Sequence, residues 1–205
     1  MTTSTSRPSI EFIFDFGSPN AYLVHKVLPG MAAEAGVEVP YSLALLGGIF
    51  KLTGNQAPMV AFAQVKNKLD YERLEFGRFL KRHQLTDFTW NPHFPVNTVT
   101  LMRGALVAEA EGALPAYIDA GLKAVWEEGQ NMSDPEVYVA AMDGDGLDGQ
   151  HLLAGAHEPS VKQQLMDNTD AAVKRGVFGV PTFFVGEEMF FGKERLAQVL
   201  EAAAV

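Results

Sequence analysis

The 205-residue chain contains no cysteine. It therefore has no disulfide framework, no thiolate ligands for a metal ion and no thiol nucleophile of its own. No apolar run reaches the roughly 20 residues of a membrane-spanning helix, so we expect no membrane contact. The five histidines show neither HxxxH nor HExxH spacing, and the sequence accordingly predicts no metal site.

Basic residues are also scarce, since 16 Lys and Arg face 25 Asp and Glu and the net charge is −9. Non-specific nucleic-acid binding needs a basic surface, so nucleic acid is not an expected partner. The 47% of hydrophobic residues is enough for a globular protein with a sizeable core. Residues 1–9 are polar and lack the apolar centre of a signal peptide. We expect them to form a disordered tail and the protein to be cytoplasmic.

What the chain does contain is a strand that runs directly into a helix, at residues 12–23 with the sequence FIFDFGSPNAYL. The alternation in residues 12–16 is typical of a buried strand. Gly17 supplies a turn, Ser18 is a good N-cap and Pro19 fits the first helical position. Ser18 therefore lies at the positive end of a helix dipole, which favours an anion such as a thiolate or a carboxylate. Its plainer interpretation is a helix cap alone.

The remaining patterns predict strands near both ends of the chain and helices between them. A strand soon after the first helix makes a βαβ unit, so these two strands should be parallel. The sequence thus indicates an α/β fold in which one small mixed-sheet domain, residues 10–50 and 159–205, is interrupted by an all-helical insertion at 51–158. The predicted elements after the first helix are a strand at 37–43, helices at 60–83, 97–112, 114–128, 133–142 and 159–175, an antiparallel hairpin at 181–191 and a last helix at 193–204.

Val177–Thr182, with the sequence VFGVPT, is the second informative stretch. Because only ~5% of X–Pro bonds in folded proteins are cis, a trans proline opening a strand is the ordinary expectation. The sequence alone leaves the isomer of the Val180–Pro181 bond open.

Five segments together resemble the 2-hydroxychromene-2-carboxylate isomerase family. They occur in the right order and cover nearly the whole chain after residue 9. That family belongs with the kappa-class glutathione transferases and the DsbA-like thioredoxin proteins. The resemblance implies a thioredoxin-like fold with an inserted all-helical domain, and a cis-proline that faces the start of the first helix. The segments are FDFGSPNAYL, IFKLTGNQAP, VKNKLDYERL, NPHFPVNT and FGVPTFFVGEEMFFGKERL.

The resemblance also gives the missing cysteine a meaning. A DsbA-like oxidoreductase needs the motif CxxC where this chain has Gly17–Asn20, so the protein cannot exchange disulfides with thiols of its own. The family instead implies glutathione as cofactor, with Ser18 donating a hydrogen bond to the glutathione thiolate. Such surroundings lower a cysteine pKa from about 8.5 by one to several units.

The resemblance places the rest of the glutathione site near the C-terminus. The backbone of Val180 would pair with the cysteinyl unit in the manner of a strand, and Glu194 would accept a hydrogen bond from the γ-glutamyl ammonium. The family carries a shorter Asp in place of Glu194 and a neutral residue in place of Lys193. Glu194 also fits the plainer role of a first-turn acid at a helix dipole. The implied glutathione-binding residues are Val180, Pro181, Phe191, Gly192, Lys193 and Glu194.

Lys51, Asn55 and Phe94 are the candidates for substrate binding. The resemblance implies that Lys51 and Asn55 flank the active site and touch the substrate or glutathione. Lys51 would stabilise negative charge on the substrate, while Phe94, with Trp90 and Trp126, would line an aromatic pocket. Each also has a plainer interpretation: Lys51 as a solvated charge, Asn55 as a turn residue and the aromatic residues as core.

The resemblance implies an isomerase acting on a small aromatic substrate. Because relatives are commonly homodimers, we expect a homodimer. Its reaction would interconvert 2-hydroxychromene-2-carboxylate and hydroxybenzylidenepyruvate types of compound through the glutathione thiolate. Two alternatives stay open: a kappa-like glutathione transferase, and a non-catalytic binding protein on a thioredoxin-like scaffold.

Overall fold

The computed structural model describes residues 8–204. The predicted N-terminal tail lies outside the described residues except for Pro8 and Ser9. These two run beside the segment that precedes the second strand. The carbonyl of Pro8 accepts a hydrogen bond of 3.0 Å from the N–H of Glu38, and Ser9 forms an isolated parallel bridge with Glu38.

Within residues 8–204 the secondary structure consists of four short strands and a larger set of helices, most of which lie between the second and third strands in the chain. The strands are β1 (Glu11–Phe14), β2 (Tyr41–Leu43), β3 (Thr182–Val185) and β4 (Glu188–Phe191). The helices are α1 (Pro19–Ala35), α2 (Leu46–Thr53), α3 (Pro58–Ala61), α4 (Lys68–Arg82), α5 (Val99–Ala110), α6 (Leu114–Trp126), α7 (Pro135–Gly144), α8 (Gly149–Ala156), α9 (Pro159–Lys174), the 3-10 turn Lys193–Arg195 and α10 (Leu196–Ala203).

The strands form one mixed sheet in the order β2-β1-β3-β4. Phe12 pairs with Tyr41 in a parallel ladder and with Phe183 in an antiparallel one. The strands β3 and β4 form an antiparallel hairpin. The predicted α/β class, the parallel first pair and the C-terminal hairpin are therefore confirmed. The proposed division at residues 51 and 158 stays a prediction.

Helices cover both faces of the sheet. On one face the ring of Phe12 packs against the rings of Tyr41 and Phe183, and Tyr41 bonds to His25 of α1. On the other face Ile13 and residues of α9 line one cavity. Because neighbouring strand residues point to opposite faces, Phe12 and Ile13 serve these two layers. No helix within residues 8–204 combines the length and the apolar character needed to cross a membrane.

Three local predictions were wrong. The long helix expected at 60–83 is broken, because residues 58–61 bury no side chain that would hold a continuous helix, and α4 starts only after Asn67. Helix α8 was not predicted; Asp148 caps it by accepting from the N–H of His151. The helix predicted at 133–142 starts two residues later, at Pro135, with Asp134 as its cap.

Candidate functional site

Ser18 lies where β1 passes into α1, and it bonds to a residue near the other end of the chain. It is the N-cap of α1, and its Oγ accepts a hydrogen bond of 3.2 Å from the N–H of Ala21. The same hydroxyl donates to the carbonyl oxygen of Val180 at 3.0 Å. Ser18 is only 4% exposed. It is therefore both a helix cap and a contact to residues 177–181, which we call the Val180 loop.

The Val180–Pro181 peptide bond is cis, so the isomer that the sequence left open matches the expectation from the resemblance. Side chains hold three successive carbonyls of this loop. Asn55 Nδ2 donates to Phe178 O at 2.7 Å, Thr182 Oγ1 donates to Gly179 O at 2.7 Å, and Ser18 donates to Val180 O. Among residues 8–204 the N–H of Val180 has no hydrogen-bond partner. It is therefore available for strand-like pairing with a peptide.

Asp15 lies directly after β1, three residues before Ser18. Its side chain is completely buried, and its Oδ1 accepts from the N–H of Gly17 at 2.7 Å and from Thr98 Oγ1 at 2.8 Å. Its Oδ2 accepts from the N–H of Leu46 at 2.7 Å. Burial raises the pKa of the Asp15 carboxyl, and the three hydrogen bonds act in the opposite direction. All three partners are donors, so the arrangement suits the ionised carboxylate.

The turn after β4 adds a buried cation. The N–H of Gly192 donates to Pro181 O at 3.0 Å, which joins this turn to the cis-proline. Lys193 is 6% exposed; its ammonium pairs with the carboxylate of Glu194 and lies 6.0 Å from the centre of the Phe79 ring. A positive and a negative group thus lie side by side, in a turn whose first residue bonds to the cis-proline. Phe191, at the end of β4, packs its ring against Phe178 with 4.5 Å between centroids.

The three candidates for substrate binding have different surroundings in the structure. Asn55 is tied to the carbonyl of Phe178, as described above. Lys51 is exposed on α2 and has no ion-pair partner in the described part of the chain. Phe94 is half-buried and belongs to a cluster of rings formed by Tyr22, Phe76, Phe88, Trp90, Phe94 and Trp126.

Trp126 connects this ring cluster to residues 15–18 between β1 and α1, which we call the Ser18 loop. Its ring lies 5.8 Å from that of Phe94, and its Nε1–H donates to Phe16 O at 2.8 Å. Trp126 is completely buried and therefore core, whereas Trp90 is 51% exposed. The exposed part of the cluster offers an apolar surface that a flat aromatic ring can contact.

Sequence reasoning missed Asp15, Thr98 and Thr182. An acid between phenylalanines in a strand was the available signal for Asp15, because a carboxylate in an apolar strand must find donors if it is buried. Thr98 and Thr182 gave no comparable signal. Across residues 8–204 no group of three or more His, Asp or Glu side chains is arranged to hold a metal ion.

Comparisons with known proteins identify the family of the chain. A family model described as a DSBA-like thioredoxin domain matches residues 9–204. The chain is 30% identical to a 2-hydroxychromene-2-carboxylate isomerase of Pseudomonas putida, over 95% of this chain and 93% of that protein. It is 28% identical to glutathione S-transferase kappa 1 of Rattus norvegicus, over 91% of this chain and 87% of the transferase.

A solved structure of 2-hydroxychromene-2-carboxylate isomerase superposes with a TM-score of 0.81 at 27% identity, covering 95% of this chain and 93% of that one. The resemblance and the thioredoxin-like fold are thereby confirmed. The chain belongs to the DSBA-like thioredoxin domain family, among the enzymes named 2-hydroxychromene-2-carboxylate isomerase.

Proposed function

We propose that the protein is a glutathione-dependent isomerase. It would interconvert 2-hydroxychromene-2-carboxylate and trans-o-hydroxybenzylidenepyruvate types of aromatic compound, a step in the degradation of naphthalene-like molecules. The observation that carries this proposal is the position of the Ser18 hydroxyl, at the start of α1 and 3.0 Å from the carbonyl of Val180. In a chain without cysteine, this place suits a sulfur atom supplied by a ligand.

The residues around Val180 fit glutathione. The peptide N–H and C=O of Val180 would pair with the cysteinyl unit, since this N–H has no partner among residues 8–204. The γ-glutamyl end carries an ammonium and a carboxylate, and the adjacent charges of Glu194 and Lys193 match these two groups. When bound, glutathione supplies a thiolate that adds reversibly to the conjugated C=C bond of the substrate and lets that bond rotate.

The role of Ser18 follows from its single proton. The hydroxyl donates that proton to Val180 O in the structure, and a serine has only one to give. When Val180 O accepts from a ligand N–H, the Ser18 hydroxyl can turn toward the sulfur instead. Ser18 then stabilises the thiolate together with the N–H groups at the start of α1. A one-unit drop in a thiol pKa is worth ~1.4 kcal/mol.

The substrate would lie between Lys51 and the ring cluster. Lys51 has no ion-pair partner among the described residues, so its ammonium is free to approach the pyruvyl carboxylate and the developing enolate. Asn55, which donates to Phe178 O, would contact the substrate or glutathione from the loop after α2. Phe94 and the exposed face of Trp90 would contact the aromatic ring. The homodimer and the cytoplasmic location stay predictions.

The test follows the absorbance of the isomer pair with and without glutathione. We expect turnover that depends on glutathione, is lost in Ser18→Ala and survives in Ser160→Ala, an exposed serine at the second position of α9. Equal turnover without glutathione would contradict the proposal. Consumption of glutathione in proportion to product would identify a kappa-like transferase instead. No glutathione binding and no turnover would leave the non-catalytic scaffold.

A further inference from the structure

We propose that Asp15 is a positioning residue, and that it fixes the start of α2 against the Ser18 loop so that Lys51 and Asn55 are held at a set distance from Ser18. This inference rests on the proposed function, because it assigns meaning to those two positions. It starts from the burial of Asp15 and from its three hydrogen bonds of 2.7, 2.7 and 2.8 Å.

The partners of Asp15 come from three separate segments. Gly17 belongs to the turn before Ser18, Leu46 is the first residue of α2, and Thr98 is the N-cap of α5. The N-cap residue of α2, Leu45, provides no side-chain cap. The carboxylate of Asp15 therefore does for the start of α2 what a capping residue ordinarily does.

The contact between Asp15 and Gly17 leaves little room for a side chain at residue 17. A Cβ placed on Gly17 would lie 3.3 Å from Asp15 Oδ1 and 3.4 Å from Cγ2 of Thr98. The first distance is tighter than most Cβ contacts, so a side chain at residue 17 would require its neighbours to shift by a few tenths of an ångström. The sequence FDFGS thus places the acid and the small residue where close approach is required.

The bonds form a closed ring around the site. Asp15 Oδ2 accepts from Leu46 at the start of α2, and Asn55, just beyond the end of α2, donates to Phe178 O. Two residues further along, Val180 O accepts from Ser18 in the ligand-free protein; bound glutathione would contact both residues and so take the place of this bond. The N–H of Gly17 donates to Asp15 Oδ1 and completes the ring. Helix α2 is thereby fixed at both ends to the two segments that would hold glutathione.

This ring explains how a residue that touches no ligand can affect catalysis. Lys51 lies on α2 between its two fixed ends, so the bond to Leu46 helps set where the ammonium stands relative to Ser18. Small displacements of a positioned group cost large factors in rate. The proposed glutathione contacts Val180, Lys193 and Glu194 are not among the hydrogen-bond partners of the Asp15 side chain in the described part of the chain. The expected signature is a loss in kcat with little change in glutathione affinity.

The decisive comparison is Leu46→Pro against Leu46→Ala. Proline is tolerated at the first helical position and lacks the N–H, and the preceding Leu45 has the extended backbone that proline requires, with φ −72 and ψ 113. Both variants lose the leucine side chain, but only Leu46→Pro loses the bond to Asp15. We expect kcat ~10-fold lower in Leu46→Pro than in Leu46→Ala, and faster amide hydrogen exchange at residues 49–55.

A second pair keeps the backbone intact. Thr98→Val removes the hydroxyl that donates to Asp15, while Thr98→Ser retains it and should restore kcat. The glutathione dissociation constant, measured by calorimetry, should stay within about threefold of wild type in all four variants.

Equal kcat in Leu46→Pro and Leu46→Ala would overturn the positioning role, and so would a kcat in Thr98→Val that matches Thr98→Ser. A faster exchange of α2 without any change in kcat would show stabilisation alone and would also overturn it. A wild-type protein without glutathione-dependent turnover would overturn the proposed function itself. These outcomes are therefore separable.

Discussion

The hydroxyl of Ser18 donates a hydrogen bond of 3.0 Å to the carbonyl oxygen of Val180, a residue 162 positions later in the chain. This bond joins the start of α1 to the cis-proline loop. It brings the Ser18 hydroxyl and the N-terminus of α1 close to Val180, whose N–H has no hydrogen-bond partner among the described residues. The proposed chemistry depends on this combination, and the first prediction examines it directly.

Replacing Ser18 with cysteine should create a reactive thiol with a lowered pKa. The start of α1 favours a thiolate, so we expect a thiol pKa at least ~1 unit below the usual 8.5. Oxidised glutathione should then form a mixed disulfide at residue 18. The chain has no other cysteine, so mass spectrometry reports this site alone.

The matched control is Ser160→Cys, at an exposed position in the first turn of α9. Both serines are next to a proline at a helix start, but within residues 8–204 Ser160 has no hydrogen bond to the Val180 loop. We expect it to react more slowly than Ser18→Cys. Equal rates and equal thiol pKa values in the two variants would show that the site offers nothing special to a glutathione sulfur.

Replacing Glu194 with glutamine should weaken glutathione binding. The change removes the charge that pairs with the γ-glutamyl ammonium, and it leaves the buried ammonium of Lys193 beside a neutral amide. We expect a roughly threefold to tenfold higher dissociation constant, measured by calorimetry. Glu201→Gln, on the exposed side of α10, makes the same change in charge and should bind normally. Unchanged affinity in Glu194→Gln would reduce Glu194 to a first-turn acid.

The His25 side chain should make folding stability depend on pH. Its Nδ1 lies 2.8 Å from Tyr41 Oη and its Nε2 lies 2.7 Å from Asp119 Oδ1. The neutral ring with its proton on Nε2 satisfies both partners. Burial lowers the pKa of His25, although Asp119 raises it in part.

The unfolded chain consequently takes up a proton at His25 more readily than the folded one does, and the stability contributed by the neutral ring is lost as pH falls. Urea unfolding at pH values of about 7.5 and about 5.5, either side of the ordinary histidine pKa of ~6.5, measures the effect. His25→Gln keeps a donor and an acceptor without titrating. Its free energy of unfolding should therefore fall less than that of wild type from the higher to the lower pH. His157→Gln changes an exposed histidine and serves as control. An identical loss in His25→Gln and wild type would contradict the prediction.

Gly121→Ala should destabilise the contact between α6 and the Ser18 loop. A Cβ at this position would lie 2.5 Å from Cε1 of Phe16, and Phe16 is completely buried. Overpacking of this kind costs about 1–3 kcal/mol, of which the better helix propensity of alanine offsets up to about 1 kcal/mol. We expect a net loss in the free energy of unfolding, measured in urea.

Gly77→Ala is the control for Gly121→Ala, because a Cβ on Gly77 in α4 meets nothing within 4 Å. There the change should raise the free energy of unfolding by about 0.5–1 kcal/mol. A gain of the same size at Gly121 would show that α6 moves away from Phe16 without cost.

Local patterns predicted much of the fold. The strand, turn and cap of FIFDFGSP, the parallel βαβ unit and the C-terminal hairpin all follow from spacing over a few residues, and the structure confirms them. The break between α3 and α4 could not be found in this way. The apolar spacing over 60–83 resembles a helix face, but Val60 and Val65 remain exposed. Periodicity records which side chains could pack together and not whether a partner surface is present.

The candidate site divides along the same line. Ser18 was recognisable because its neighbours form a cap signal, whereas Asp15 was counted only as one step in a strand alternation. Lys193 was identified only through the resemblance, and nothing in the local sequence indicated that its side chain is buried against Glu194 and Phe79. Burial of a charge depends on distant segments, so no short window of sequence contains the information.

The sequence by itself determined that the protein has no thiol of its own and that a serine stands at the mouth of a helix, because composition and short-range spacing are sufficient for both. Only the tertiary structure decided which groups meet there: Val180 with Ser18, Leu46 and Thr98 with Asp15, and Phe178 with Asn55. These partners lie 31 to 162 residues apart. Hydrogen bonds between such distant residues form only after the helices and the sheet have packed, since it is packing that removes water and brings each donor to its acceptor.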